Sequence, residues 1–325
     1  MRIAAIDVGT NTIRLLVADC PGNKGEFKPI FRKQLITRLG AEFTSRRAIS
    51  ESAMERTVMG LIDFKRNIIS LGADKVIGVA TGVVRKAKNS QDFIQRVKEE
   101  AGIEIQLISG EIEAKLSARG ALLPVNSEFD QALIFDVGGG STEFILTHGT
   151  ELLMVESIDL GVVHLSEEQL YNDPPQKKEL TEIEKIVDFK IRDVRKRFQR
   201  TSFFPFKPNS RVILIGIAGT ATTLAAIDLR LVEYDREKII NHTLESKRIA
   251  EILRELIRMP AAKRLSVPGL EKGREDLIIP GLIIVLKIMK VFGFSVLRVI
   301  DSGILEGLVL SYSSSGKSIP CFSKR

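Results

Sequence analysis

The sequence is poor in the residues that build disulfide frameworks and zinc sites. It has two cysteines, Cys20 and Cys321, near opposite ends of the chain, and its three histidines are far apart in sequence. Disulfide-rich domains and structural zinc sites carry cysteine or histidine in closely spaced sets. The sequence therefore argues against a disulfide scaffold and against a His/Cys zinc site.

Aromatic residues are also scarce. They make up 6% of the chain, with three tyrosines and no tryptophan. Proteins that bind single-stranded nucleic acid use aromatic side chains as stacking platforms for the bases. We therefore expect no specific nucleic-acid partner.

Long hydrophobic runs are absent as well. The longest run, at 277–286, has ten residues that include a proline and a glycine, whereas a membrane-spanning helix needs about 20 apolar residues. Charges at Arg2, Asp7 and Arg14 interrupt the apolar residues at the start of the chain, so a signal-peptide core is not expected there. The sequence predicts a cytoplasmic protein without a membrane partner.

The remaining composition is that of an ordinary globular protein. The 325 residues are 44% hydrophobic and 27% charged, with a net charge of +7. This length suits two domains of ordinary size. The positive charge suits a protein that handles an anion, and it suits a plain soluble protein almost as well.

The chain contains two copies of one hairpin pattern, 129 residues apart. Residues 6–17 read as a strand, a tight turn and a second strand, and residues 135–146 have the same layout. Both copies carry Asp-Val-Gly at the turn, and Thr12 in the first has the offset of Ser141 in the second. Glycine and small polar residues supply both turns, and apolar residues flank them.

A second pair of segments repeats in the same order. A Ser-Gly pair at 109–110 ends an apolar strand and opens a helical pattern, and a Ser-Gly pair at 302–303 does the same. Glu113 in the first copy aligns with Glu306 in the second. Two such matches in one order predict a duplicated architecture.

In each half, three hairpin-linked strands precede strands that alternate with helices. Strands are predicted near 2–8, 12–19, 28–38, 75–80 and 103–108 in the first half and near 131–137, 142–148, 151–158, 212–217 and 296–300 in the second. The main predicted helices are 51–71, 91–101 and 182–199. The pattern predicts an α/β fold in which each half is a mixed five-stranded sheet flanked by helices.

The predicted domain boundary lies in the polar, proline-containing stretch 124–130. Domain I then covers residues 1–125, and domain II covers residues 126–302. A final helix within 303–325 follows the last strand of domain II, and we expect it to complete domain I.

The two Asp-Val-Gly turns are the strongest candidates for a ligand site. Tight turns of glycine and small polar residues point consecutive N–H groups and hydroxyls into one concavity, which is how proteins hold phosphate. The predicted phosphate-binding residues are Gly9, Thr10, Asn11 and Thr12 in the first turn and Gly138, Gly139, Gly140, Ser141 and Thr142 in the second. The alternative is a pair of hairpins that simply have good turn residues.

A carboxylate precedes each turn. Asp7 and Asp136 would repel a phosphate directly, so we expect them to hold Mg²⁺ or a water molecule. Glu143 lies just beyond the second turn. It either reaches the same metal as Asp136 or is an outward-facing strand glutamate.

Glu113 and Arg85 are further candidates. Glu113 lies in the first turn of a predicted helix, where the helix dipole alone favours an acidic residue. Its functional alternative is to take a proton from water in a cleft between the two halves. Arg85 is predicted in a loop after a strand, where it either binds phosphate or belongs to a solvated basic helix start.

Two other signals are weak. The Gly-x-x-Gly-Thr pattern at 216–220 either meets an anion or caps a helix. The basic residues of the helix at 182–199 either contact a long polyanion or form a solvated face.

These segments resemble the Ppx/GppA phosphatases, which are exopolyphosphatases and guanosine pentaphosphate phosphohydrolases. The similarity runs along nearly the whole chain, and it is most specific at 136–143 and at the Ser-Gly segments. Supporting segments are 7–15, 80–89, 160–163, 216–224 and 273–276. The family belongs to the acetate kinase, Hsp70 and actin superfamily, so the resemblance implies duplicated actin-like (ribonuclease H-like) domains.

The resemblance implies a Mg²⁺-dependent hydrolase that removes the terminal phosphate of a polyanion. Glu113 is similar to the family's catalytic glutamate, which deprotonates the attacking water. Asp136 and Glu143 match the acidic positions around the metal, with Asp7 a further candidate. The two turns and Arg85 match the groups that hold the terminal phosphates. Inorganic polyphosphate is the leading expected substrate, and guanosine pentaphosphate (pppGpp) is the alternative.

The sequence also departs from the family pattern. Ile112 stands where many members have a glutamate, and His164 stands where an arginine is frequent. The chain lacks the C-terminal helical domains of long members, so we do not expect their extended polyphosphate tunnel. Remoter alternatives are a kinase of the same superfamily and a non-enzymatic binding module. The sequence leaves the oligomeric state open, a homodimer included.

Overall fold

The strands form two sheets, the first from residues before Ala121 and the second from residues after it. The computed structural model describes residues 1–21, 26–43, 47–201, 206 and 210–315. Its first unit comprises Met1–Ala121 and the segment that begins at Gly303, and its second unit comprises Leu122–Ser302. The final helix thus packs with the first unit, although it follows the last strand of the second. Cys321 and the rest of 316–325 lie outside the described residues.

The first unit is built around a five-stranded mixed sheet. Its elements are β1 (Arg2–Val8), β2 (Thr12–Asp19), β3 (Lys28–Ile36), α1 (Glu51–Ser70), β4 (Lys75–Ala80), α2 (Gly82–Lys86), α3 (Ser90–Arg96, continued by a π-helical turn at Val97–Ala101), β5 (Ile105–Leu107), α4 (Gly110–Ala121) and α12 (Ile304–Ser315). The strand order is β3-β2-β1-β4-β5. The three hairpin strands are antiparallel, and β4 and β5 extend the sheet in parallel with β1.

The second unit repeats this plan with an additional edge strand. Its elements are β6 (Gln131–Val137), β7 (Thr142–His148), β8 (Glu151–Ile158), α5 (Val162–Gln169), α6 (Lys177–Gln199), β9 (Val212–Ile217), α7 (Ala218–Asp228), α8 (Arg236–Ile239), β10 (Thr243–Glu245), α9 (Ser246–Leu256), α10 (Ala261–Arg264), α11 (Ile278–Phe292) and β11 (Val296–Ile300). The strand order is β10-β11-β9-β6-β7-β8. Leaving β10 aside, this is the order of the first sheet, so the predicted duplication and mixed sheets are confirmed.

The additional strand β10 has no counterpart in the sequence prediction. It pairs antiparallel with the start of β11, and just before it Asn241 donates its N–H to the carbonyl of Val299. A segment of three residues is too short to show the alternation of apolar and polar residues by which strands are recognised. The second sheet therefore has six strands where five were predicted.

Other sequence predictions also differ from the structure. Strand β3 ends at Ile36 because the N–H groups of Thr37 and Arg38 both donate to the carbonyl of Asn11, at 3.0 Å. Arg85 lies in the short helix α2 and not in a loop. Helix α6 begins at Lys177, five residues before the predicted 182, because Glu179 satisfies donors around the helix start.

The central strands of the first sheet are buried on both faces. On one face, apolar residues of β1 and β2 such as Ile6 and Leu15 form a core with α1 and α3. On the other face, Ile3 and Leu16 form a core with Leu308 and other residues of α4 and α12. In the second unit, apolar residues of β6 and β7 pack with the buried sides of α6 and α11.

Helices α4 and α12 approach each other through glycines. A Cβ atom on Gly307 would lie 2.0 Å from the carbonyl oxygen of Leu116, and one on Gly120 would lie 1.9 Å from that of Gly303. Real Cβ atoms do not come this close to backbone, so both positions require glycine in this packing. The close approach brings the final helix onto the face of the first sheet.

The described residues contain no disulfide and no membrane-spanning helix. Cys20 is buried and not in a disulfide, and its burial raises the pKa of the thiol, which keeps the sulfur protonated and unreactive. None of the described helices combines the length and the apolar composition needed to cross a bilayer.

We predict that Gly307→Ala destabilises the protein. Alanine is ordinarily the better helix former by about 1 kcal/mol, but its methyl group would meet the backbone of α4. Overpacking of this kind costs about 1–3 kcal/mol, and a backbone neighbour cannot move aside, so we expect a loss near the top of that range. Urea unfolding measures the change. Lys115→Ala, at an exposed position of α4, is the control and should stay within about 0.5 kcal/mol of wild type. A Gly307→Ala protein as stable as wild type would contradict the packing.

We also predict a pH-dependent contribution of Glu179 to stability. Burial alone would raise the pKa of its carboxyl, but the N–H groups of Gln176, Tyr171 and Asn172 donate to it, at 2.6 to 3.0 Å, and the net pKa lies below the ordinary 4.5. Because the pKa of Glu179 is lower in the folded than in the unfolded protein, its carboxylate stabilises the fold. This stabilisation is complete at pH values above the unfolded-state pKa and is lost as the pH falls through the folded-state pKa.

The measurement compares the free energy of unfolding of wild type with that of Glu179→Gln across this range. The difference should be largest near neutral pH and should shrink as the pH falls below 4.5. Glu182→Gln, at an exposed position of the same helix, should differ little from wild type at every pH. A difference for Glu179→Gln that does not change with pH would contradict the assignment.

Candidate active site

The two Asp-Val-Gly turns have the same backbone geometry. In the first, the N–H of Gly9 donates to the carbonyl of Thr12 at 3.0 Å; in the second, the N–H of Gly138 donates to that of Ser141 at 2.9 Å. Two residues lie between the bonded pair in each turn, at 10–11 and at 139–140. Among the backbone hydrogen bonds of the described residues, none has an N–H of these four residues as its donor. Both turns thus present consecutive N–H groups, as anion-binding turns do.

The first turn is fixed by its neighbours in the first unit. The hydroxyl of Thr10 accepts a hydrogen bond from the N–H of Val83 at 3.1 Å, and the carbonyl of Thr10 accepts one from Gly40 at 2.8 Å. Gly82 has φ +47°, and a Cβ there would lie 2.3 Å from the Thr10 hydroxyl. A glycine at 82 is therefore required for the start of α2 to reach the turn.

The second turn is fixed by the start of α5. The N–H groups of Val162 and Val163 donate to the carbonyls of Gly138 and Gly139, at 3.0 and 2.9 Å. A Cβ on Gly161 would lie 2.2 Å from the carbonyl oxygen of Gly139. Because this contact uses the carbonyls, the N–H groups of the turn stay available to a ligand.

Thr142 is a predicted phosphate contact, but its hydroxyl makes a hydrogen bond within the second unit. Thr142 is fully buried, and its hydroxyl donates to the carbonyl of Leu160 at 2.5 Å. Successive strand residues point to opposite faces, so Thr142 and Glu143 lie on different sides of the sheet. Ser141 is buried and Thr12 is partly exposed at the ends of their turns, and both stay predicted phosphate contacts.

The two turns differ in the charge that faces the preceding aspartate. Asp7 lies opposite Arg14 in the β1–β2 pairing, and both Nε and Nη2 of Arg14 donate to Oδ2 of Asp7, at 3.0 and 2.6 Å. Asp136 lies opposite Glu143 in the corresponding β6–β7 pairing. The first turn is thus preceded by a partly buried ion pair, and the second by two facing carboxylates.

The two facing carboxylates of the second unit fit a divalent cation. Glu143 is 2% exposed, so it is not the outward-facing strand residue of the alternative prediction. The hydroxyl of Ser157, opposite it on β8, donates to its Oε1 at 2.9 Å. Like charges directly opposite on a sheet repel, and an oxygen-bound cation removes that repulsion.

The described residues hold no larger cluster of candidate metal ligands. Within the ranges that the structure describes, no group of three or more His, Cys, Asp and Glu side chains could hold a metal ion. Mg²⁺ often binds through one or two carboxylates and takes its other ligands from water and from substrate phosphates. Asp136 and Glu143 fit this donor set. Asp7 lies in the first unit, and the ion pair with Arg14 weighs against its predicted role as a metal ligand.

Glu113 is held by Arg85 within the first unit. Its helix α4 starts after the short strand β5, and its N–H donates to the carbonyl of Ser109 at 2.9 Å. Nη1 of Arg85 donates to Oε2 of Glu113 and to the carbonyl of Ile108, both at 3.0 Å. Glu111, in the same turn, is exposed and pairs with Lys115. Of the two acidic residues, only Glu113 has its orientation fixed by a partner that is itself fixed by the backbone.

The weak Gly-x-x-Gly-Thr signal lies at the start of α7, beside the second turn. The hydroxyl of Thr220 donates to the carbonyl of Val137, the residue before the turn, at 3.0 Å. The guanidinium of Arg274 lies against Gly219, where a Cβ would be 2.4 Å from Nη1 and Nη2. The sequence gives no sign of this contact, because 55 residues separate Gly219 from Arg274.

The basic residues of α6 have partners in the second unit. Arg192 pairs with Asp188, and Arg197 pairs with Glu156 and Asp193. These ion pairs favour the solvated-face interpretation of this helix over contact with a long polyanion.

Comparison with known proteins assigns the chain to a family. The model of the Ppx/GppA phosphatase family matches residues 17–315. Exopolyphosphatase 2 of Mycobacterium tuberculosis is 31% identical over 325 aligned residues, which cover 95% of this chain and 98% of that protein. A bifunctional 3-dehydroquinate synthase/phosphatase of Fusobacterium nucleatum is also 31% identical, over 94% of this chain and 46% of its own length.

Solved structures agree with this assignment. The Aquifex aeolicus member of the Ppx/GppA family is 28% identical, with a TM-score of 0.79 over 98% of this chain and 99% of that one. An exopolyphosphatase from Cytophaga hutchinsonii is 26% identical, with a TM-score of 0.86 over 96% of this chain and 98% of that one. The two mixed sheets flanked by helices are those that the resemblance implied, with one strand more in the second sheet. The chain belongs to the Ppx/GppA phosphatase family.

Proposed function

We propose that the protein is a Mg²⁺-dependent phosphohydrolase that releases orthophosphate from the end of inorganic polyphosphate. The observation that carries this proposal is the Arg85–Glu113 pair, in the unit that also contains the turn at Gly9. Family membership supports hydrolysis of a phosphate bond. Several relatives are named exopolyphosphatases, which supports polyphosphate as the substrate.

Phosphoryl transfer depends mainly on positioning and on neutralising charge. In the proposed reaction a water molecule attacks the terminal phosphorus, and the carboxylate of Glu113 accepts its proton. The bond between that phosphorus and the bridging oxygen breaks, which gives orthophosphate and a chain shorter by one phosphate. Arg85 fixes the direction of the Glu113 carboxylate, and its remaining N–H groups suit contact with the terminal phosphate.

The two turns are suited to hold phosphate oxygens. The N–H groups of Thr10 and Asn11, and those of Gly139 and Gly140, are donors that no backbone acceptor among the described residues uses. The donors are fixed before the anion arrives, so they need little reorganisation as negative charge shifts during the reaction.

Asp136 and Glu143 would hold the Mg²⁺ ion. When bound, the ion neutralises charge on the phosphate oxygens. Ser157 fixes one oxygen of Glu143 by its hydrogen bond. Asp7 then acts on the other unit's turn, where it holds Arg14 close to the phosphate-binding residues.

One observation favours pppGpp as a second candidate substrate. Arg274 lies against the Thr-rich start of α7, and the side chain of Tyr234 is 60% exposed in the same unit, with its hydroxyl donating to Asp301 at 2.8 Å. A guanidinium and an exposed aromatic ring suit contact with a nucleotide. Both substrates end in a phosphoanhydride, so the same catalytic residues serve either.

We predict that Glu113→Gln nearly abolishes phosphate release while substrate still binds. A general base contributes about 10²–10⁴-fold to the rate, and the amide keeps the shape of the side chain. The measurement is orthophosphate released with Mg²⁺ from medium-length polyphosphate, with pppGpp and ATP assayed in parallel.

Glu111→Gln is the matched control, because it removes an exposed carboxylate two residues away on the same helical turn. It should release phosphate as wild type does. If wild type releases no phosphate from any substrate, or if Glu113→Gln is as active as wild type, the proposed mechanism is wrong and the kinase and binding-module alternatives gain support.

We predict that Glu143→Gln weakens metal binding, measured directly by calorimetric titration with Mn²⁺ in the absence of substrate. Loss of a residue that only supports a ligand typically weakens metal binding about 10–100-fold, so loss of a ligand should do at least as much.

The control for the metal titration is Glu156→Gln. Glu156 lies on β8 beside Ser157, and its side chain pairs with Arg197 of α6, on the other face of the sheet. Its metal affinity should equal that of wild type. Equal affinities for Glu143→Gln and wild type would rule out Glu143 as a ligand.

A further inference from the structure

Two buried polar side chains beside the first turn have no hydrogen-bond partner among the described residues. Asn11 is 8% exposed, and both its Nδ2 and its Oδ1 are unpaired. Thr37 is 4% exposed, and its hydroxyl is unpaired as well. Leaving a buried polar group without a partner is costly, so such groups in native proteins commonly serve a ligand or an ordered water molecule.

The backbone places these two residues side by side. The N–H groups of Thr37 and Arg38 both donate to the carbonyl of Asn11, and Gly40 donates to the carbonyl of Thr10. Arg38 has φ 50°, a left-handed conformation that is strained for a residue with a Cβ atom. Strain of this kind persists where the surrounding structure enforces it, which is common at ligand sites. The segment 37–40 is therefore built against the turn.

The free groups at this position favour an anion. The N–H groups of Thr10 and Asn11 have no backbone acceptor in the described chain. To these two N–H donors the Asn11 amide adds two hydrogens and the Thr37 hydroxyl adds one, which makes five donor hydrogens. The unpaired buried acceptor atoms there are three: Oδ1 of Asn11, Oδ1 of Asp7 and the Thr37 hydroxyl oxygen. A water molecule donates as many hydrogen bonds as it accepts, whereas a phosphate oxygen only accepts. The surplus of donors thus matches a phosphate oxygen better than a water molecule.

We propose that the hydroxyl of Thr37, together with the Asn11 amide, is a further contact for a phosphate oxygen of the substrate. This proposal rests on the proposed function, because it takes the first turn to be the site of a polyphosphate anion. Thr37 lies just after β3, 25 residues beyond Thr12, and is outside both Asp-Val-Gly turns. It binds the anion and takes no part in proton transfer.

The test is Thr37→Val, which replaces the hydroxyl by a methyl group of similar size. The dissociation constant for inorganic tripolyphosphate is measured by calorimetric titration, together with the free energy of unfolding in urea. A hydrogen bond to a charged group is typically worth a factor of about ten or more in affinity, so we expect the dissociation constant to rise by at least that factor. Thr37→Ser, which keeps a hydroxyl, should bind nearly as wild type does.

Thr147→Val is the matched control. Thr147 is also fully buried with an unpaired hydroxyl, but it lies at the far end of β7 from the second turn. Removing an unpaired buried hydroxyl should leave both valine variants at least as stable as wild type. Only Thr37→Val should lose affinity for tripolyphosphate.

The two proposals fail in different ways. If Thr37→Val binds tripolyphosphate as wild type does, or if it loses stability without losing affinity, Thr37 is not an anion contact, whatever the enzyme hydrolyses. If Thr37→Val loses affinity as expected but wild type releases no phosphate from polyphosphate, the anion contact stands and the proposed hydrolysis is wrong.

Discussion

A carboxylate at the buried end of a central strand needs a compensating charge, and this requirement shapes both units. Taking an ionised carboxylate out of water is costly unless a cation or several donors face it. In the first unit Arg14 supplies the cation from the neighbouring strand, and it donates twice to one oxygen of Asp7. In the second unit the same strand position carries Glu143, which adds a second negative charge opposite Asp136. These two carboxylates are the ones that the proposed function assigns to a cation. One backbone geometry thus gives a permanent ion pair in one unit and a candidate metal site in the other.

The division of roles follows from the duplication. Both turns close with the same hydrogen bond and present unused N–H groups, so the anion-binding part of the pattern is common to both units. What differs is the support behind each turn. Beside the first turn lies the side-chain hydroxyl of Thr37, and the turn itself carries the Asn11 amide. The second contains three successive glycines and is supported by backbone carbonyl contacts with α5. Duplication has therefore kept the backbone of the turn in both units, while the side chains and contacts around it have diverged.

Much of the fold could be predicted from the sequence, because its patterns are local. The Asp-Val-Gly hairpins, the strand that ends before Ser109 and the alternation of strands and helices depend on neighbouring residues, and these predictions are confirmed. The contacts that build the site were less predictable, because they join distant segments. The ion pair of Arg85 with Glu113 spans 28 residues, and the contact of Arg274 with Gly219 spans 55. Thr37 is buried because of where β3 ends. The end of β3 is set by the hydrogen bonds to the Asn11 carbonyl, and the composition of the strand does not reveal it.

The aligned glutamates of the duplication, Glu113 and Glu306, have different surroundings. Glu306, in the first turn of α12, accepts the N–H of Gly303 at 2.7 Å with one oxygen and lies 2.7 Å from Nη1 of Arg32 with the other. Its side chain is 5% exposed and lies beside the close contact of Gly303 with Gly120, so its carboxylate holds the start of the helix. Glu113, at the same place in α4, also meets an arginine, but its side chain is 14% exposed. A proton acceptor must be reachable by water as well as fixed in direction. Of the two glutamates, Glu113 combines these properties better, which supports its proposed role as the proton acceptor.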